Sequence, residues 1–329
     1  MKLLRGIYFL LIFLVVGEII VRVDDAVGPF SEDAHGRAEI SYNESDEWRL
    51  AKENKIPLDD STYRVLLLGD SYLHGVGFTS HDSTIAEVLK AKLKGSHLPY
   101  KRFLVFDATK PANNTLDNYQ SYLFLDKVFK PNLVILGYNL NDVLGNQDEA
   151  GTQQNVSLKT LATEHPDTPT FRKKLIAFVI NSHLLYFVVH QINMELKVSG
   201  HIMPGSDLDK EMKTYTENQP NWVKSQKTLS RLMDSTQARK ENLLVMMVPI
   251  YNLLDNPQLF KPTDSAVYHF FTDTSRSNVV VWNTRSFYTG IPTSALILNK
   301  YEEHPNMRVH RMMADSVFNF ISAGYEKSH

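Results

Sequence analysis

Residues 63–72 read YRVLLLGDSY, and this stretch says most about the fold of the chain. The run 64–68 has the length of a strand and is rich in leucine, as in a parallel sheet that is covered by helices on both faces. Gly69, Asp70 and Ser71 follow it directly, and ligands bind at the carboxyl ends of parallel strands. Glycine, aspartate and serine also form ordinary turns, so the triplet alone is a weak motif.

Similar apolar runs recur along the chain and predict a sheet. Besides 64–68, four runs have strand length and are rich in Val, Leu, Ile or Phe: 102–106, 132–136, 242–248 and 278–282. Helical periodicity predicts helices between and after them, at 84–94, 116–130 and 307–322. Alternating strands and helices predict an α/β fold, a three-layer, doubly wound parallel sheet of about five strands.

The composition excludes several classes of protein. The chain has 329 residues, of which 43% are hydrophobic and 22% charged, which is enough apolar material for a large folded core. The net charge is −2, and lysine and arginine are spread along the chain, so nothing indicates nucleic-acid binding. Cysteine is absent, which excludes disulfides and thiolate chemistry.

The N-terminus has the pattern of a signal peptide or a membrane anchor. Lys2 and Arg5 precede the apolar run 7–16, and after Glu18 the run continues at 19–21. No clear Ala-x-Ala cleavage site follows, so an uncleaved anchor is favoured. Because the positive charges lie before the run, they predict a single-pass membrane protein whose catalytic domain is extracytoplasmic.

The predicted organisation therefore has three parts. Residues 1–23 form the anchor or signal segment, 24–60 a polar stalk, and 61–329 the α/β domain. Within that domain, 145–240 is too long for one crossover and predicts a helical insertion. Its apolar segment 175–189 is short for a bilayer and is interrupted by polar residues, which favours a buried or amphipathic helix over a second membrane span.

Two further blocks carry residues suited to chemistry. After the run 132–136 the chain reads GYNLND, and the Asn141 amide can donate a hydrogen bond to an oxyanion or form an Asx turn. Before the last predicted helix the chain reads HPN at 304–306. His304 can act as a base if it reaches a nucleophile, or it is an exposed histidine in a loop before the helix.

The order of the three blocks resembles the SGNH, or GDSL-type, hydrolase family. The resemblance spans roughly 63–321, strong at its ends and weak through the insertion. The residues that carry it are Leu68 to Tyr72, Asn141 and Asp142, His304 to Asn306, and Val309, His310 and Ala314.

The resemblance implies a serine hydrolase that uses neither a metal nor an organic cofactor. Ser71 would be the nucleophile and His304 its base. The backbone N–H groups of Ser71 and Ala112 and the side-chain amide of Asn141 would form the oxyanion hole.

The sequence departs from the family pattern at two positions. Ala112 stands where the family has a glycine, and its N–H survives if alanine can adopt the required conformation. Tyr301 stands where the family has the acid, three residues before the histidine. Glu302 serves as the acid if the chain is displaced by about one residue; otherwise Ser71 and His304 form a dyad.

The predicted export favours an O-acyl ester on an extracytoplasmic glycan, lipid or envelope polymer as substrate, with the membrane as a partner through the N-terminal helix. Two alternatives stay open. One is an O-acyltransferase acting on extracellular polysaccharide. The other, supported by the missing acid at Tyr301, is a non-catalytic binding or scaffold protein with an SGNH-like fold.

Overall fold

A computed structural model describes residues 15–20, 49–51, 53, 55–78, 80–143, 207–273, 276–299 and 302–326. The chain divides into two compact units, one of Met1–Glu39 with Asp148–His201 and one of Ile40–Gln147 with Ile202–His329. In the first unit the described residues are 15–20, and they are helical. The sheet and the candidate site belong to the second unit.

The second unit is built on a five-stranded sheet with the order β2-β1-β3-β4-β5, and every neighbouring pair is parallel. The strands are β1 Thr62–Leu68, β2 Arg102–Asp107, β3 Leu133–Tyr138, β4 Asn242–Met247 and β5 Val279–Asn283. Each coincides with one predicted run to within a few residues. The predicted α/β fold with a parallel sheet is therefore confirmed.

Seven helices with defined bounds lie among the described residues of this unit, apart from the helical residues 49–51 and short 3₁₀ turns. They are α1 Ser71–His74, α2 Ile85–Lys94, α3 Thr115–Phe129, α4 Asp207–Thr216, α5 Pro220–Ala238, α6 Pro257–Thr272 and α7 Met307–Glu326. Thr84 caps α2, because its hydroxyl accepts from the Glu87 N–H at 3.4 Å.

The sheet separates two buried apolar clusters, as strand geometry requires. Leu66 and Leu68 share one cluster with residues of α3, α5 and α6. Val65 and Leu67 share the other with residues of α2 and α7. Because successive side chains of a strand point to opposite faces, one apolar run supplies both layers. Each fully buried leucine stabilises the fold by about 1.5–3 kcal/mol.

A small antiparallel hairpin, β6 Ile297–Asn299 and β7 Glu302–Pro305, precedes α7. The sequence placed His304 in a loop, but the structure places it in β7. The segment 302–305 reads EEHP, without the alternating apolar residues that indicate a strand. Pairing with β6 makes it a strand, and such pairing is not visible in the local sequence.

The predicted single-pass membrane topology is corrected by the structure. A membrane-spanning helix needs ~20 mostly apolar residues. Within the described ranges, no helix is both long enough and apolar enough to cross a bilayer. Of the predicted anchor, only 15–20 falls in those ranges.

Other predicted segments lie partly or wholly outside the described residues. Of the insertion predicted at 145–240, the described part begins at 207 and forms α4 and α5. The apolar segment 175–189 lies outside the described residues, as does most of the predicted stalk 24–60. The proposed division of the chain into anchor, stalk and domain stays a prediction.

Candidate active site

Ser71 lies at the carboxyl edge of the sheet, as the first residue of α1 directly after β1 and a two-residue turn. Asp70 is the N-cap of α1, because its Oδ1 accepts from the Tyr72 N–H at 3.0 Å. This cap fixes where the helix starts. The Ser71 hydroxyl is therefore presented from a short, capped turn.

Two glycines allow this turn to pack closely on β3. A Cβ added to Gly69 would lie 3.3 Å from the Gly137 carbonyl oxygen. A Cβ added to Gly137 would lie 2.3 Å from Cδ2 of Leu73 in α1, well inside van der Waals contact. Side chains at these two positions would push the helix that carries Ser71 away from the sheet.

His304 lies against Ser71, with 2.9 Å between its Nε2 and the Ser71 Oγ. The two residues are 233 positions apart in the chain. The His304 ring also packs on the Tyr72 ring, with 5.0 Å between ring centroids. A histidine within hydrogen-bond reach of a serine hydroxyl is the arrangement of a base and its nucleophile.

Asn306 anchors the segment that carries His304. Its Nδ2 donates to the carbonyl oxygens of Ala295 and Ile297 at 3.0 and 3.2 Å. Its Oδ1 accepts from the N–H groups of Arg308 and Val309 at 3.1 and 3.3 Å, and so caps α7. The asparagine of the HPN block thus fixes β7 to both β6 and α7.

Asn141 lies on a 3₁₀ turn, Leu140–Val143, at the end of β3. The turn is held from within, because Asp142 Oδ2 accepts from the Asn139 N–H at 3.0 Å and Asn139 Oδ1 accepts from the Asn141 N–H at 3.3 Å. Asn139 Nδ2 also donates to the Val248 carbonyl oxygen at 3.3 Å, at the end of β4. The Asn141 backbone is therefore held by side-chain hydrogen bonds, and its side chain interacts with Asp70, the residue before Ser71.

Two buried carboxyl groups lie beneath the site. Asp70 and Asp142 are 1% and 0% exposed. Burial raises the pKa of Asp70 to about 6, against the opposing effects of the Tyr72 N–H, the His304 ring and the Asn141 side chain. Burial and the neighbouring Asp70 hold the pKa of Asp142 well above its ordinary value. Burial and the neighbouring carboxyl group therefore both favour the protonated form of Asp142.

Ala112 occupies a turn after β2 with a φ of 64°, in the left-handed region. An alanine costs roughly 1–2 kcal/mol in this conformation. Two hydrogen bonds join this turn to the Gly69–Ser71 turn, since the Gly69 carbonyl oxygen accepts from the Lys110 N–H at 3.1 Å and from Asn113 Nδ2 at 3.4 Å. Ala112 thus adopts a left-handed backbone conformation that glycine adopts more readily.

The identity of the acid stays a prediction. Glu302 begins β7, two residues before His304, and its side chain lies outside the described part of the structure. Tyr301, which takes the family position of the acid, also lies outside it.

The structure adds two contributors that the sequence did not indicate as functional. Asn306 has a recognisable signal, because asparagine directly before a helical pattern is a preferred N-cap. The electrostatic coupling of Asp70 with Asp142 has no such signal, since it depends on the approach of two segments far apart in the chain.

Comparisons with known proteins give structural matches only. No family model matches the sequence, and no curated protein matches it. A psychrotrophic esterase EstA from Pseudoalteromonas sp. is 14% identical with a TM-score of 0.43, and the match covers 79% of this chain and 98% of that one. A lipase/acylhydrolase from Enterococcus faecalis is 13% identical with a TM-score of 0.43, covering 79% and 96%. The lipase Lip_vut3 from a goat rumen metagenome is 14% identical with a TM-score of 0.45, covering 80% and 98%.

These solved structures are esterases and lipases. Similarity at this level assigns no activity to the present chain. The chemistry is therefore derived from its own side chains.

Proposed function

We propose that the protein is a serine hydrolase of carboxylic esters, with Ser71 as nucleophile and His304 as base. The observation that carries this proposal is the 2.9 Å contact between His304 Nε2 and Ser71 Oγ. The contact joins two residues from opposite ends of the domain at the carboxyl edge of the sheet, where α/β folds bind ligands.

The reaction proceeds in two steps. The Ser71 Oγ attacks the ester carbonyl carbon while His304 takes the hydroxyl proton, and the ring then returns that proton to the leaving alcohol. In the second step water loses a proton to His304 and attacks the acyl-serine. The ring then returns that proton to the Ser71 Oγ as the acid leaves, which restores both residues. Each step passes through an oxyanion, which the backbone N–H groups of Ser71 and Ala112 and the side chain of Asn141 would stabilise. Losing one such donor costs ~3 kcal/mol of transition-state stabilisation.

A negative charge nearby would stabilise the His304 imidazolium. Burial raises the pKa of Asp70 overall and the interaction with His304 opposes that shift, which makes the Asp70 carboxylate one candidate for the charge. Glu302 is the second candidate, since it lies in the same short strand as His304. Asp70 supplies charge from the nucleophile turn, and Glu302 would supply it from β7.

Mutation of the two adjacent glutamates separates these sources. If Glu302 is the acid, Glu302→Gln lowers kcat by orders of magnitude and Glu303→Gln does not. If Asp70 supplies the charge, both changes leave kcat nearly unaltered, while His304→Ala remains severely impaired. The measurement is the steady-state rate of p-nitrophenyl acetate hydrolysis.

The substrate is proposed only as an O-acyl ester. The expectation of an extracytoplasmic glycan or lipid depended on the membrane anchor, and it loses that basis with the correction above. Water or a sugar hydroxyl can both accept the acyl group from Ser71, so hydrolysis and transfer share the first step. Hydrolysis is the simpler proposal because it needs no second bound substrate.

Ester hydrolysis by matched serine variants tests the proposal. Ser71→Ala removes the nucleophile, and we expect it to fold normally and to lose at least 10³-fold in kcat, an order of magnitude set by the loss of the nucleophile. Ser286→Ala is the control, because Ser286 is exposed and its hydroxyl donates to the nearby Asn283 carbonyl oxygen. Hydrolysis by Ser71→Ala at the wild-type rate would contradict the proposal.

A further inference from the structure

His310 is a buried histidine that connects three elements around the nucleophile. It lies in the first turn of α7 and is 0% exposed. The backbone N–H of Ile85, the first residue of α2, donates to His310 Nδ1 at 3.1 Å. His310 Nε2 lies 3.1 Å from the carbonyl oxygen of Tyr72 in α1. The ring also packs edge-on to Phe78, with 4.6 Å between centroids.

These partners define the protonation state of the ring. A backbone N–H can only donate, so Nδ1 has to be unprotonated. A carbonyl oxygen can only accept, so Nε2 has to carry the hydrogen. Burial lowers the pKa of His310 to about 3, which agrees with a neutral ring. His310 is therefore neutral, with both ring nitrogens engaged, and it is not a second base.

The position of His310 relates it to the base. His304 in β7 contacts Ser71, while His310, six residues later in α7, contacts the next residue of the same turn, Tyr72. One continuous segment thus touches the nucleophile helix at two successive residues. A shift of α1 along β7 would lengthen both contacts.

We propose that His310 is a positioning residue, which holds the Ser71–Tyr72 turn at the correct distance from His304 through its hydrogen bond to the Tyr72 carbonyl. The proposal rests on the proposed function, since it assigns a role in the same site. It distinguishes the two hydrogen bonds: the one to Tyr72 supports catalysis, and the one to Ile85 caps α2.

Two conservative substitutions separate the bonds. In His310→Gln the amide nitrogen takes the place of Nε2 and can still donate to the Tyr72 carbonyl. In His310→Asn the amide oxygen takes the place of Nδ1 and can still accept from the Ile85 N–H, while the donor to Tyr72 is lost. A role confined to stability would make activity follow folding in both variants.

The control for lost stability is Val317→Ala. Val317 is also in α7 and 0% exposed, and it belongs to the apolar cluster with α2. Removing its methyl groups weakens the packing of the same helix without touching the nucleophile turn.

The test measures kcat, KM and Tm for the wild type and the three variants. We expect His310→Asn to lower kcat by about tenfold or more, because small misplacements of reacting groups are costly, with KM little changed. We expect His310→Gln to retain kcat to within about threefold, because that change corresponds to less than the free energy of one hydrogen bond. We expect Val317→Ala to lower Tm while keeping kcat. Equal kcat losses in the Asn and Gln variants, or a loss in Val317→Ala as large as in His310→Asn, would overturn the proposal.

Two readouts keep this test separate from the proposed function. A wild type without esterase activity would refute the proposed function. An active wild type together with kcat values for the variants that depart from the expected order would refute the role of His310. The ¹⁵N shifts of the His310 ring give an activity-independent check, and the proposal requires the tautomer with hydrogen on Nε2. Hydrogen on Nδ1 would contradict it.

Discussion

Asn306 shows how a single side chain holds the proposed base, His304, in place. The His304 ring has to stay within hydrogen-bond distance of Ser71, yet it is carried by a four-residue strand. The Asn306 side chain makes four hydrogen bonds, two to backbone carbonyls before β7 and two to N–H groups of α7. The precision of the site therefore depends on a residue that does no chemistry.

Replacing Asn306 by alanine should lower both stability and activity. The change removes a helix cap and two further hydrogen bonds, which should cost ~1–3 kcal/mol. We expect kcat to fall as β7 loosens, with KM less affected. The control is Asn278→Ala, since Asn278 Nδ2 also donates two hydrogen bonds, to Thr236 and Glu241. Asn278 lies before β5, at the amino ends of the strands and away from the candidate site. The measurements are the free energy of unfolding in urea and kcat for both variants. An unchanged kcat in Asn306→Ala would contradict the proposed role of Asn306 in holding His304.

For Ala112 we expect a substitution that increases stability instead of lowering it. Its φ of 64° disfavours a side chain, so Ala112→Gly should relieve the strain and raise the free energy of unfolding by about 0.5–1 kcal/mol. Activity should be retained, because the backbone N–H remains. Ala91→Gly is the matched control: Ala91 is exposed within α2, where glycine should destabilise by about 1 kcal/mol. Equal destabilisation by both changes would show that Ala112 is not strained.

At the scale of elements, the sequence predicted the sheet well because its strands are buried on both faces. Apolar runs such as 64–68 and 132–136 are recognisable without knowledge of their neighbours. The hairpin of β6 and β7 was missed because EEHP has no strand pattern of its own and depends on pairing. The blocks around Ser71, Asn141 and His304 were found from the sequence by resemblance. The coupling of Asp70 with Asp142 was not, since it arises from two loops far apart in the chain.

The packing of α1 on β3 leads to an element-scale prediction. A Cβ at position 137 would lie 2.3 to 2.9 Å from Leu73 side-chain atoms, so Gly137→Ala should displace α1 and with it Ser71. We expect stability to drop by ~1–3 kcal/mol and kcat to drop with it. Leu73→Ala alone opens a cavity and should also destabilise. The double variant should lose less free energy of unfolding than the sum of the losses in the two single variants. A double-mutant cycle in urea measures this difference. Strict additivity would show that the two positions do not meet.

Across the whole molecule, ionisable groups are buried at both the carboxyl and the amino ends of the parallel strands. The carboxyl ends of the strands, beside the candidate site, carry Asp70, Asp142 and His310. Glu241, which is 4% exposed, lies directly before β4, at the amino ends of the strands. Tyr122 donates to Glu241 Oε2 at 2.7 Å. Burial, with a hydrogen bond to Asp126, raises the pKa of Glu241 to about 8. The carboxyl group is thus mainly protonated at neutral pH.

The raised pKa of Glu241 predicts how stability depends on pH. The folded state binds this proton more tightly than the unfolded chain, so the contribution is complete below the unfolded pKa of about 4.5 and is lost as pH rises through about 8. The loss should amount to a few kcal/mol. Glu241→Gln should remove this part of the pH dependence, so the variant and the wild type should diverge most above pH 8. Parallel stability curves from pH 5 to pH 9 would contradict the assignment.

Covalent labelling tests whether the Ser71 hydroxyl acts as a nucleophile with His304 as its base. The purified protein is incubated with a fluorophosphonate and the modified residue is located by peptide mass spectrometry. We expect one adduct, on Ser71, none in Ser71→Ala, and labelling of His304→Ala slowed by at least ~10²-fold, the usual contribution of a general base. An adduct on another serine, labelling that persists in Ser71→Ala, or a folded wild type that does not label would contradict the account.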